Sequence, residues 1–172
     1  RIEAIPATEE DLLRVHTPEY LARLKAESLH PQGGDAGDGE SPFGHGGYDI
    51  AALAAGGAIE ALRAVMNGTV DNAYALIRPP GHHARPSTGM GYCIFANAAI
   101  AIENVRATMG VERIVVVDWD VHHGNGTQEI YYSDPNVLSI SIHQDNLYPM
   151  DSGLIDDIGD KAAAGSVINI PL

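Results

Sequence analysis

The chain has 172 residues, 45 % of them hydrophobic, which is enough apolar material for one folded domain and excludes wholesale disorder. A net charge of -13 argues against nucleic acid as a partner, because such binding rests on Lys and Arg neutralising phosphates. It is compatible with plain solubility or with attraction of cationic substrates such as polyamines or basic peptides. No apolar run approaches the ~20 residues needed to cross a bilayer, so no membrane partner is expected.

Cys93 is the only cysteine, so no intrachain disulfide forms and a reducing, cytoplasmic setting is expected. The segment Arg1 to Pro6 lacks the charged-then-apolar layout of a signal peptide. Residues 9 to 29 read as helical, with Leu12, Leu13 and Val15, then Tyr20, Leu21 and Leu24, at helix-like spacing. Thr17-Pro18 opens the second part of that stretch as N-cap and first helical residue. Residues 31 to 47, dense in Gly, Pro, Asp and Ser, read as a long loop of the kind that is usually functional or mobile.

Tyr48 to Met66 reads as a helix, in which Gly56-Gly57 would let another element approach closely. Beyond it the chain alternates. Ala73 to Ile77 is expected as a buried strand, Asn97 to Met109 as a helix and Arg113 to Asp118 as a β-branched strand. Gly126 to Tyr132 follows as a short helix, then Val137 to Ile142 and Ser166 to Ile170 as strands. Apolar strands alternating with helices predict an α/β fold with a parallel sheet flanked by helices.

In such sheets ligands bind beyond the carboxyl ends of strands. Three expected strands each release a polar cluster there: Arg78 to His83, Asp118 to Asn125, and His143-Gln144-Asp145. Residues two apart in extended backbone share a side, so Asp118, Asp120 and His122 face one way. Asp120 and His122 can then reach one metal ion, their carboxylate and imidazole suiting zinc or iron. Asp118, one step deeper, suits a carboxylate that fixes a histidine's tautomer.

His82 and His83 follow Pro79-Pro80-Gly81, a sequence that permits a bend sharp enough to point both rings into one pocket. There they would serve as general base and general acid; otherwise they are solvated turn residues. Asn125 reads equally as a helix-start residue and as a hydrogen-bond partner of a histidine. His143 reads as structural or as pocket wall, and is not assigned to metal. Tyr92 and Tyr148 either wall a narrow channel or simply pack. Cys93 has no base beside it, which weakens it as a nucleophile.

Four segments carry a resemblance: Arg78 to Ala84 (RPPGHHA), Gly89 to Asn97 (GMGYCIFAN), Val116 to Tyr132 (VVDWDVHHGNGTQEIYY) and Ser139 to Pro149 (SISIHQDNLYP). They resemble the histone deacetylase family, nearest its class II members and the bacterial histone-deacetylase-like amidohydrolases. The match runs in order from about Tyr48 to the end and is looser before it.

The resemblance implies an arginase/deacetylase-like fold, of which the chain holds the N-terminal to central part. Residues 1–172 are expected to belong to one catalytic domain that continues beyond Leu172. It implies Asp120 and His122 as zinc ligands, His82 and His83 as the catalytic pair, Asp118 bonded to His82 and Asn125 to His83. Gly91 would contact the acyl-lysine through its backbone. Tyr92 and Tyr148 would stand where two Phe residues usually wall the channel, and Ala96 where many relatives have Asn. A structural potassium ion would lie on main-chain atoms of Asp118, Asp120, His122, Ser141 and Ile142.

Two elements of the family pattern have no counterpart in the chain: the third zinc ligand, an Asp, and the Tyr that polarises the substrate carbonyl. The activity implied is zinc-dependent hydrolysis of an acetylated amine, either acetyl-lysine or an acetylpolyamine. A binuclear arginase-like hydrolase and a non-catalytic acyl-binding relative are the alternatives, and self-association is left open.

Overall fold

The computed structural model describes residues 1–172. Two short helices open the chain: α1 (Glu9–Leu13) and α2 (Pro18–Ser28). Each starts where its cap chemistry dictates. The Thr8 hydroxyl accepts from the Asp11 amide while the Asp11 carboxylate accepts from the Thr8 amide. The Thr17 hydroxyl accepts from the Tyr20 amide, with Pro18 at the first helical position.

The long loop after α2 is pinched by a two-residue antiparallel ladder, β1 (Gly34–Asp35) with β2 (Pro42–Phe43), which composition alone did not anticipate. Helix α3 (Gly47–Met66) packs along α4 (Asn97–Met109). Leu21, Leu24, Phe43, Ala51, Phe95 and Ile100 lie in the core around them. Buried His16 ties the α1–α2 corner to the segment before α4. Its Nε2 accepts from the Ala96 amide at 3.0 Å, and its Nδ1 faces the Pro86 carbonyl at 3.3 Å. Burial pushes its pKa down to about 4, so the ring is neutral at pH 7.

The glycine pair in α3 serves a close approach. A β-carbon at Gly56 would sit 1.7 Å from the Ile5 carbonyl oxygen, where the N-terminal segment crosses the helix and the Ala7 amide donates to the Ala52 carbonyl. Alanine is worth about 1 kcal/mol more than glycine inside a helix. The obstructing atom is backbone, however, and cannot swing aside. Gly56→Ala is therefore expected to destabilise the protein by about 1–3 kcal/mol, the range for overpacking. Urea denaturation would measure this, with Gly44→Ala, whose added carbon meets nothing within 4 Å, as the control.

The sheet has three parallel strands in sequence order: β3 (Ile114–Asp118), β4 (Val137–His143) and β5 (Val167–Pro171). Short helix α5 (Asn125–Tyr131) lies between β3 and β4 in the chain. Through Ala99, Ile102 and Tyr131, α4 and α5 cover the face carrying Ile114, Val116 and Val137. The opposite face is apolar and uncovered, with Val115 60 % and Ile168 40 % exposed. The fold class is thus α/β with a parallel sheet, its helices packed on one face.

One expected strand does not form. Ala73 to Ile77 has no ladder partner, and Tyr74 and Leu76 are each 87 % exposed. Its apolar composition suits a buried strand, yet a strand exists only where a neighbour takes its hydrogen bonds. Here the segment runs extended along α3, with Ile77 against Gly57. The first of the three polar clusters therefore follows an unpaired segment rather than a strand end.

Candidate active site

Although its expected strand is missing, the turn Pro79-Pro80-Gly81 brings His82 and His83 onto the carboxyl end of β3. Gly81 makes this possible, since a β-carbon there would lie 2.7 Å from the Asn97 amide. The two imidazoles lie 3.9 Å apart between centroids, tilted by 40°. The bend the sequence permits is the one adopted.

Each ring is anchored through Nδ1. His82 Nδ1 is 2.8 Å from Asp118 Oδ2, and His83 Nδ1 is 2.7 Å from Asn125 Oδ1. Both acceptors are oxygens, and the Asn125 amide nitrogen is turned to the Met90 sulfur. Each Nδ1 therefore carries the proton, which leaves the Nε2 lone pair of a neutral ring available. Neither Nε2 makes a hydrogen bond with the protein; His82 Nε2 lies 4.0 Å from Asp120 Oδ1. Burial, then the neighbouring His82, pushes the His83 pKa down to about 4, against the hydrogen bond to Asn125, which raises it.

Past β3 the chain turns so that Asp118 Oδ1 accepts from the Asp120 amide. Asp120 Oδ1 in turn accepts from the His122 amide at 2.9 Å and lies 2.9 Å from His122 Nδ1. Burial raises the Asp120 carboxyl pKa, but the hydrogen bonds from His122 outweigh it and hold the group below the usual carboxylate range. Both side chains are about half exposed. A carboxylate and an imidazole converging this closely fit as two ligands of one zinc-like ion. The chain assembles no group of three or more such side chains.

His82, His83, Asp120 and His122 line a 330 Å³ pocket with Glu40, Pro80, Gly91, Tyr92 and Tyr148, while Asp118 and Asn125 contact the two histidines from outside its lining. Tyr148 stands edge-on to His83 with centroids 5.2 Å apart. Tyr92 is 67 % exposed at the mouth. Gly91 packs on the His83 ring, and a β-carbon there would lie 2.4 Å from it. All the sequence-predicted catalytic, ligand and channel residues thus meet in one place. Glu40 was missed, because nothing in the pattern of its loop signals that it reaches a pocket formed by distant segments.

The neighbouring groups are structural in their contacts. His123 and His143 are buried and lie 4.8 Å apart. His123 bonds Ser152 and Gln128, while His143 bonds the Ser141 hydroxyl and the Gly153 carbonyl. Ser141 pairs with Asp118 in the ladder, so these two residues of the expected potassium site lie side by side, with Asp120 and His122 in the turn past β3. Cys93 lies behind His83 with its Sγ 3.4 Å from the His83 amide. Burial pushes its thiol up to about 12, so it is no thiolate nucleophile.

Residues 1–172 match the histone deacetylase domain over their whole length. The chain belongs to the histone deacetylase family. It is 54 % identical over 169 residues to the histone deacetylase-like amidohydrolase of Pseudomonas aeruginosa, covering 98 % of this chain and 44 % of that protein. It is 47 % identical to a probable deacetylase of Archaeoglobus fulgidus, over 99 % of this chain and 46 % of that one. Similarity extends to the polyamine deacetylase HDAC10 of Rattus norvegicus, at 39 % identity over 96 % of this chain and 29 % of that protein. The crystal structure of the HDA15 HD domain superposes with a TM-score of 0.91 at 36 % identity, over 99 % of this chain and 48 % of that one. The chain thus spans less than half the length of these relatives.

No helix is long and apolar enough to cross a membrane.

Proposed function

We propose that the protein hydrolyses acetylated amines, acetyl-lysine or acetylpolyamine, with zinc as its metal. The observation that carries this reading is the stacked pair His82–His83. Both Nδ1 atoms are anchored and both Nε2 atoms are free of protein partners, in a pocket shared with Asp120 and His122.

Asp120 and His122 would hold the zinc, with a third ligand supplied from outside this set. When bound, zinc supplies Lewis acidity, drawing electron density from the acyl carbonyl and acidifying water. One histidine of the pair, entering neutral, takes the proton of the attacking water at Nε2, and the other, entering as the imidazolium, delivers its Nε2 proton to the departing amine. Asp118 and Asn125 each accept from a protonated Nδ1, which leaves both Nε2 atoms to this chemistry. Tyr148 and Tyr92 flank the acyl chain, and the Gly91 backbone would contact it. The family's potassium ion would lie on the main chain of Asp118, Asp120, His122, Ser141 and Ile142. The expected setting is cytoplasmic.

A binuclear arginase-like centre would need carboxylates where Asn125 and His82 stand. The test is acetate release by the full-length protein from an acetyl-lysine peptide and from acetylputrescine, with zinc present and after chelation. Zinc-dependent release from either substrate is expected. Zinc binding without turnover of either would defeat the reading, and binding of acetyl-lysine without acetate release would identify an acyl-binding protein instead.

A further inference from the structure

The partners of the two pocket imidazoles differ in one respect. Asp118 offers oxygen to His82 Nδ1 whichever way its carboxylate is turned. Asn125 offers oxygen to His83 in only one orientation, because half a turn of its amide exchanges Oδ1 for Nδ2. The orientation matters in either role open to His83. A neutral base must carry its proton on Nδ1 to keep the lone pair on Nε2, and an imidazolium carries a proton on Nδ1 as well. An amide nitrogen at Nδ1 would draw the proton to Nε2 in the first case and set donor against donor in the second.

The orientation is selected at the other end of the amide. Met90 Sδ lies 3.3 Å from Asn125 Nδ2 and is its only hydrogen-bond partner, just as His83 Nδ1, at 2.7 Å, is the only partner of Oδ1. A thioether has lone pairs and no proton to give, so it accepts from the nitrogen and repels the oxygen. Solvent would not make this choice. Asn125 and Met90 also line a second pocket of 540 Å³, shared with Arg85, Gln128 and Met150 on the side away from the acyl pocket. Water reaching the amide from there could donate or accept, and so would favour neither orientation.

The sulfur is placed by a short turn that also walls the acyl pocket. Met90 and Cys93 exchange amide–carbonyl bonds of 3.1 and 2.9 Å around Gly91 and Tyr92, both at positive φ. Within this turn Met90 reaches Asn125, Gly91 packs on the His83 ring, and Cys93 Sγ lies 3.4 Å from the His83 amide.

We propose that Met90 is a positioning residue for His83, its thioether fixing the Asn125 amide with the oxygen toward Nδ1. Met90 acts only through Asn125. The kinetic part of the proposal rests on the deacetylase reading; the part concerning the ring proton does not.

The test compares zinc-loaded, full-length wild type with Met90→Leu, Asn125→Asp and the double variant. Leucine keeps the volume of methionine, a swap that cores tolerate, and removes the acceptor. Nitrogen NMR of the labelled His83 ring, above neutral pH, reads which nitrogen holds the proton. Zinc content, kcat and KM on an acetyl-lysine peptide are measured at the pH optimum of each protein. Wild type should hold the proton on Nδ1 alone, and Met90→Leu should show a mixture of the Nδ1 and Nε2 forms. Its kcat should fall roughly three- to tenfold, the worth of one hydrogen bond, with KM and zinc content unchanged. With Asn125→Asp both ends of the side chain are oxygen. Adding Met90→Leu there should leave the proton on Nδ1 and change kcat little.

An unchanged His83 tautomer in Met90→Leu overturns the proposal. So does an equal loss of kcat in the Asn125 and Asp backgrounds, which would make Met90 ordinary packing. If wild type hydrolyses no acetylated amine, the deacetylase reading fails, and the ring measurement still decides whether Met90 sets the amide.

Discussion

Asp120→Ala is expected to lower bound zinc from about one per chain to near none and to abolish hydrolysis with it. The size follows from what the metal contributes. Lewis-acid stabilisation is worth several kcal/mol, and each 1.36 kcal/mol is tenfold in rate, so a loss of ~10³-fold or more is expected. Asp120 Oδ1 and His122 Nδ1 lie 2.9 Å apart, so the variant leaves His122 alone of the two expected ligands. Metal content by elemental analysis and acetate release should fall together, and His122→Ala should behave likewise. Full zinc occupancy in Asp120→Ala would remove this residue from the ligand set. Full occupancy with lost turnover would make it a catalytic group instead.

The parts of this site that were legible in the sequence are those whose spacing is local. Asp118, Asp120 and His122 lie within five residues and do come together, but β3 ends at Asp118 and it is side-chain-capped turns, not the extended backbone expected, that bring Asp120 and His122 to each other. The adjacent histidines at 82 and 83 needed only a sharp turn, which Pro and Gly announce. The strand expected at Ala73 to Ile77 failed for a different reason. Composition reports that a segment is fit for a ladder but not whether a neighbour is present to complete it, and Tyr74 and Leu76 stand exposed without one.

The contact between the 31–47 loop and the pocket wall was hidden for a third reason. Asp38 and Gly91 are 53 positions apart, and a left-handed tyrosine leaves no periodic trace. The Gly/Asp-rich stretch reads as loop because its hydrogen bonds run to side chains and distant amides instead of to a regular ladder. What resemblance added was roles: spacing alone left Asn125 poised between a helix start and a histidine partner, and the 2.7 Å contact with His83 now supports the second.

That contact leads to the other large effect. His83→Ala and His82→Ala should each cut turnover by ~10²–10⁴-fold, the usual worth of a positioned general acid or base, with zinc content unchanged. The more informative variant is Asn125→Asp. In the present site the His83 Nδ1 proton is given to a neutral amide oxygen, in a buried place that disfavours the imidazolium and brings the pKa down to about 4. A carboxylate at the same atom would pair with the charged ring, and an opposite charge at hydrogen-bond distance raises a histidine pKa. The neutral form of His83 would then persist only at higher pH. If His83 must be neutral to accept a proton, the acid limb of kcat/KM against pH should move upward in Asn125→Asp, and activity at mildly acidic pH should fall first. If His83 must instead be protonated to donate, the alkaline limb should move upward and the variant should gain activity above neutrality. An unshifted profile would mean that His83 carries no proton in the rate-limiting step, leaving that work to His82 and its existing carboxylate partner, Asp118.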